Sequence, residues 1–106
     1  MKALSDPNRV KILKMLQMRT LCVCELQAVL KVAQSTVSKH LKVLEEADLV
    51  TFEKDGLWVN YRINQDTDNP YAKTMLNILE DWLNEDVQIV SILRELKDIS
   101  REKLIK

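Results

Sequence analysis

Glycine is almost missing from this chain of 106 residues: Gly56 stands alone, and proline occurs only at Pro7 and Pro70. So few turn formers leave little room for loops, and with abundant Leu, Lys and Glu they indicate a mostly helical fold. Long apolar runs are missing too. None approaches the roughly 20 residues that span a bilayer, and no signal-peptide pattern opens the chain, so no membrane partner is expected. Cysteine is limited to Cys22 and Cys24, separated by Val23. A disulfide across one residue is badly strained, which excludes a secreted disulfide framework; reduced thiols fit a cytoplasmic location. Net charge is zero, from 16 basic and 16 acidic residues, which on its own argues against a nucleic-acid partner. What remains is ordinary for one globular domain over residues 1–106, with 46% hydrophobic and 30% charged residues.

The distribution of charge reverses that last exclusion. Residues 1–62 hold ten Lys/Arg against seven Asp/Glu, whereas residues 63–106 hold six against nine. From Leu26 to Leu44 the chain carries Lys31, Lys39 and Lys42 and no acid. A local basic face suffices for phosphate binding. Asp6-Pro7 reads as a helix start, Asp as cap and Pro at the first position, with Val10, Leu13 and Leu16 on the buried face. Val23, Leu26, Val29 and Leu30 mark a short second helix. A turn at Lys31–Ala33 follows, then a third helix from about Gln34 to Ala47 with Val37, Leu41 and Leu44 inward. The period then shifts from helical to alternating. Val50 and Phe52, then Val59, Tyr61 and Ile63, flank Asp55-Gly56, a strong hairpin-turn signal, so residues 50–63 read as a two-stranded hairpin. After a polar stretch, Pro70 opens a helical tail with a break near Asn84–Asp86. The predicted fold is mainly α with a small β-hairpin.

Two short helices joined by a tight turn, the second polar outside, form a helix-turn-helix over about residues 23–47, with a wing over about 50–63. The second helix of such a unit enters the major groove. Here it offers Gln34, Ser35, Thr36, Ser38, Lys39 and Lys42 on its outer side, residue types that suit base edges and phosphates. His40, the only histidine, lies beside the apolar face and is expected to pack or touch a phosphate, not to hold a metal. Lys54 near the wing tip is placed to reach the DNA backbone.

Ala3-Leu4-Ser5-Asp6-Pro7-Asn8-Arg9, then Ser35-Thr36-Val37-Ser38-Lys39-His40-Leu41-Lys42-Val43-Leu44, then Ala47-Asp48-Leu49-Val50 and Gly56 through Tyr61-Arg62-Ile63 together resemble the ArsR/SmtB family of metal-responsive repressors. Leu21-Cys22-Val23-Cys24-Glu25-Leu26 resembles the cysteine box of its arsenic-responsive branch. The resemblance implies a winged helix-turn-helix repressor without enzymatic activity, binding double-stranded DNA as a homodimer. It also implies arsenite or antimonite as inducer, held by Cys22 and Cys24, with divalent soft metals as weaker candidates. The chain departs from the pattern at four places. Lys31 stands where relatives often have Gly, and Ala33 stands where they have a capping Ser. Leu57 replaces a basic wing residue, and Gln27 occupies the position of a third Cys. Relatives often carry a further helix ahead of the first one here, so the resemblance leaves room for an additional N-terminal segment.

Soft thiolates favour soft ions, consistent with a Cys22–Cys24 site. On a regular helix, residues two apart diverge by about 200°, so joint ligation requires the start of the second helix to be unwound. The tail, about residues 70–104, carries more large apolar residues than a small monomer readily covers. Leu79, Trp82, Leu83, Leu93 and Leu96, with Leu4, are the expected dimer surface. A two-fold dimer matches a palindromic operator with half-sites about 10 bp apart. Three rivals stay open. One is a thiol-redox or effector-independent regulator on the same fold, one a winged-helix module that binds proteins, and the third a thiol oxidoreductase. The last is disfavoured because redox pairs are usually two residues apart.

Overall fold

In the computed structural model, residues 5–99 are described. Leu4 and the last part of the expected tail, residues 100–104, lie outside them. Eight elements follow in order: α1 (Pro7–Met18), β1 (Leu21–Cys22), α2 (Val23–Leu30), α3 (Gln34–Glu46), β2 (Val50–Asp55), β3 (Trp58–Ile63), α4 (Pro70–Asp81) and α5 (Val87–Leu96).

Local chemistry explains most of these boundaries. Asp6 caps α1 by accepting from the Asn8 N–H at 2.8 Å, with Pro7 opening the helix. Asn69 does the same for α4, accepting from Tyr71 (2.9 Å) and Ala72 (3.4 Å) ahead of which Pro70 fixes the first turn. Asp86 caps α5 through the N–H groups of Gln88 and Ile89. No side chain caps α3, whose N-cap is Ala33. Helix α2 ends on Lys31 in the left-handed conformation (φ 59°), the position that glycine would occupy without steric cost.

The three strands form one antiparallel sheet in the order β1-β3-β2. The hairpin pairs Val50 with Ile63 and continues to Asp55 opposite Trp58, so the strands run up to a two-residue turn, Gly56-Leu57. Gly56 has φ +62°, the positive φ that a type II′ turn needs at its first central residue. The third strand, β1, was not foreseen. It pairs Leu21 with Tyr61 and Cys22 with Asn60.

The core lies where α1, α2 and α3 meet the base of the sheet. Ile12, Leu13, Met15, Leu21, Leu26, Val37, Leu41, Leu44 and Leu49 are fully buried there. Val37, Leu41 and Leu44 are the inward stripe of α3, so the opposite side is left to solvent. Helix α1 is buried on more than one face, and Lys14 within it is only 3% exposed. Its amine donates to the Leu79 carbonyl and to Asn84 Oδ1, both at 2.7 Å, tying α1 to the corner between α4 and α5. Burial lowers the Lys14 pKa from its ordinary value, with nearby Asp81 opposing.

The tail corrects the expected dimer surface. Leu79 (0% exposed) and Leu96 (1%) belong to the protomer's own core, because α4 and α5 fold back over the other helices and bury these positions within one chain. Leu83 and Leu93 are partly buried against that core. Leu83 takes φ 63° and turns the chain between α4 and α5. Within the described part of the tail, the large apolar side chains left open are Tyr71, Ile78, Trp82, Val87 and Val90. No described helix is long and apolar enough to cross a membrane. Because Leu41 is fully enclosed, Leu41→Ala is expected to lower unfolding stability by about 2–5 kcal/mol, read by urea denaturation.

Candidate nucleic-acid interface and thiol site

The outward side of α3 is built by the packing of its inward one. With Val37, Leu41 and Leu44 enclosed, Gln34, Ser35, Ser38, Lys39 and Lys42 are all exposed along a single polar strip. Thr36 is half-buried at its edge. Ala33 contributes only backbone at the start of this helix, accepting from Thr36 and Val37, so no side chain blocks the end that faces outward. The strip holds two cations and no acid, and its small hydroxyls permit close approach of a polyanion.

His40 is placed differently from the rest of the expected set. It is 9% exposed and turns toward α1. Arg9 Nη1 lies 3.4 Å from His40 Nδ1, and Asp6 Oδ2 lies 4.0 Å from His40 Nε2. An arginine can only donate, so Nδ1 accepts and the ring proton sits on Nε2, toward Asp6. His40 therefore fastens the back of α3 to the start of α1. Lys54 is exposed on the hairpin as foreseen, but its neighbours Glu53 and Asp55 are acidic, and Glu53 pairs with Arg62 at 3.7 Å. Leu57 at the tip is 99% exposed.

The two sulfurs meet. Cys22 Sγ lies 2.7 Å from Cys24 Sγ, and both cysteines are free. The expected divergence does not arise, because Cys22 belongs to β1 in extended geometry (φ −90°, ψ 167°) and α2 begins only at Val23. The strand turns the Cys22 side chain back over the first turn of the helix, so no unwinding is required for the thiols to face each other. Glu25, 5% exposed, completes the junction. Its Oε1 accepts from the Cys22 N–H at 3.0 Å and its Oε2 lies 3.5 Å from Arg19 Nη2. Burial, and next the hydrogen bond with the Cys24 thiol, push the Cys22 thiol up to about 12, so it is protonated at neutral pH. Among the described residues no cluster of three His, Cys, Asp or Glu side chains is arranged to hold a metal ion. The thiol pair is therefore a two-donor site. Glu25 and Arg19, which hold the backbone beside the pair, were not foreseen. The acid three residues after the cysteine N-cap was the available signal, since that spacing is a capping box.

Residues 6–51 match the family described as bacterial regulatory protein, arsR family. The chain is 35% identical over 96 residues to the arsenical resistance operon repressor of Escherichia coli, covering 90% of this chain and 80% of that one. The chain belongs to the arsR family. A second relative is the arsenical resistance operon repressor of Bacillus subtilis, 41% identical over 69 residues, or 64% of this chain and 66% of its own. Among solved structures, a possible transcriptional regulator for arsenical resistance superposes with TM-score 0.60 at 30% identity, covering 93% of this chain and 94% of that one. HlyU from Vibrio cholerae superposes with TM-score 0.62 at 33% identity over 74% of this chain and 82% of its own. The fold is thus the winged helix-turn-helix of arsR-family transcriptional regulators, with α2 and α3 as the helix-turn-helix and β2–β3 as the wing.

The opposite placements of two adjacent α3 residues give a direct check. His40→Ala is expected to cost about 1–3 kcal/mol, because it leaves the Arg9 and Asp6 side of α1 without its buried partner. Lys39→Ala is expected to stay within about 0.5 kcal/mol of the parent. Thermal denaturation of the two variants reads the difference.

Proposed function

We propose that this arsR-family regulator is a repressor that binds a palindromic operator as a homodimer and releases it when arsenite or antimonite bridges Cys22 and Cys24. The observation that carries this reading is the convergence of the two thiols at the junction of β1 and α2, the first helix of the reading pair. An effector bound there acts on the element that positions α3. The names of the Escherichia coli and Bacillus subtilis relatives support an arsenical effector. DNA contact is assigned to Gln34, Ser35, Ser38, Lys39 and Lys42, with Thr36 at the edge and Lys54 on the wing. The exposed Tyr71, Ile78 and Trp82 of α4, with Val87 and Val90 of α5, are the surface assigned to a second copy.

The protonation of Cys22 favours arsenous acid over a divalent cation. Each thiol proton passes to a hydroxyl of As(OH)3, an As–S bond replaces an As–O bond, and water leaves. Two thiols and one As(OH)3 yield two As–S bonds and two waters, with no net release of protons. A cation such as Cd2+ requires both sulfurs ionised and expels two protons. The thiol contact also suits a second reading, in which a peroxide oxidises the pair to a disulfide and is reduced to water. The strain of that small ring and the protonated Cys22 oppose it.

Two measurements test the reading. In reducing buffer, arsenite is expected to lower the operator affinity of the parent at least about fivefold, whereas the Cys22→Ser/Cys24→Ser variant binds DNA as the parent does and ignores arsenite. An arsenite response that survives in that variant overturns the assignment; a response to peroxide alone transfers it to oxidation. Between roughly pH 6 and 8, arsenite affinity is expected to stay nearly level while Cd2+ affinity climbs about tenfold per unit for each proton expelled. Equal slopes contradict the argument from Cys22.

A further inference from the structure

Arg19 occupies the gap between the thiol junction and the end of the chain's last described helix. It follows α1 and precedes β1. Its Nη2 lies 3.5 Å from Glu25 Oε2, and the same nitrogen donates to the carbonyls of Leu96 (3.2 Å) and Ile99 (2.6 Å). Leu96 is the last residue of α5. The final carbonyls of a helix have no partner within it, and a cation at that end also meets the negative pole of the helix. Arg19 thus serves as the C-terminal cap of α5, supplied from a distant part of the sequence. Glu25, in turn, holds Arg19 with one oxygen and the Cys22 N–H with the other. Four groups form one continuous chain: the Cys22 backbone, the Glu25 carboxylate, the Arg19 guanidinium and the carbonyls of Leu96, at the end of α5, and Ile99 just beyond it. Lys31, at the other end of α2, reaches Glu95 of α5 at 3.8 Å, so both ends of α2 are joined to the same helix.

We propose that Arg19 and Glu25 are positioning residues that carry the state of the Cys22–Cys24 pair to α5. This rests on the arsenical reading given above. Two sulfurs bonded to one soft ion at about 2.3 Å each are held roughly 3–4 Å apart in fixed directions, whereas the free thiols here are only in contact. Bridging therefore reorients the pair. Cys22 is the member of the pair joined to the rest of the fold, because its N–H is held by Glu25. A displaced Cys22 pulls on the carboxylate, and the carboxylate shares its charge with the guanidinium that caps α5. Helix α5 packs on α1 and α2 and carries Val87 and Val90 on its outer side, so shifting its end changes the surface assigned to the second copy. Glu25 is buried and Arg19 satisfies several acceptors at once. Such an arrangement changes by breaking a contact, not by gradual deformation.

The test separates binding from coupling. Arsenite affinity, operator affinity, and the ratio of operator affinities without and with arsenite are measured on the full chain for the parent, Arg19→Gln, Glu25→Gln and Arg19→Lys. Circular dichroism melts confirm that each variant is folded. The expected result is that Arg19→Gln and Glu25→Gln keep arsenite affinity and free operator affinity within about threefold. Their affinity ratio falls from at least about fivefold to below about twofold. Arg19→Lys, which keeps the charge but offers a single donor group, is expected to retain an intermediate ratio. Hydrogen exchange over residues 92–99 is expected to respond to arsenite in the parent and not in Arg19→Gln. Folded variants that keep the parent's ratio and exchange response overturn the role of Arg19 and Glu25 while leaving the arsenical reading intact. A parent that does not bind arsenite removes both.

Discussion

The pairing of Cys22 with Asn60 of β3 is the constraint on which the thiol site depends. Two residues of strand are a weak element by themselves. Their effect is to keep Cys22 extended and outside the helix, so that the next residue, and not Cys22, starts α2. Without that backbone pairing, the two cysteines would lie on opposite sides of one helical turn. With it, the sulfurs touch, Glu25 reaches back to the Cys22 amide, and Arg19 finds a buried carboxylate to hold. The hairpin strand that supplies the pairing therefore does two jobs: its outer part forms the wing, and its inner part fixes the geometry of the thiol pair.

Long periodic segments were legible in the sequence and isolated pairings were not. The stripe of Val37, Leu41 and Leu44 fixed both the existence of α3 and the side it shows to solvent, and the strip of Gln34, Ser35, Ser38, Lys39 and Lys42 followed from it. Asp55-Gly56 located the hairpin, though Asp55 pairs in the strand and the turn is Gly56-Leu57. A strand of two residues has no period to detect, so β1 was invisible, and with it the meeting of the thiols. His40 was ambiguous because it sits at the boundary of the apolar stripe; the Asp6 and Arg9 side chains at the start of α1 decided its direction.

The tail was legible as helix but not as surface. Leu79 and Trp82 sit three residues apart and read as one stripe, yet Leu79 is enclosed and Trp82 is 42% exposed. The reason is the corner at Leu83, whose left-handed backbone redirects the chain and lets α5 return over α1 and α2. A stripe drawn through that corner mixes positions that face the protomer's own interior with positions that do not. Lys14 shows the converse. A charged residue in the first helix looks like surface, but its amine is needed to satisfy the carbonyl of Leu79 and the side chain of Asn84 at that same corner.

The near-neutral wing has a consequence for how the regulator experiences its medium. Glu53 and Asp55 offset Lys54 and Arg62, and the tip presents the bare hydrocarbon of Leu57. With DNA contact assigned as proposed, attraction to the duplex is thereby concentrated on Lys39 and Lys42 of α3. Fewer neutralised phosphates mean fewer displaced counterions, and hence a shallower decline of affinity as ionic strength rises. On the proposed reading, promoter occupancy is comparatively indifferent to osmotic upshift and potassium accumulation, and is left to follow the chemical state of two sulfur atoms.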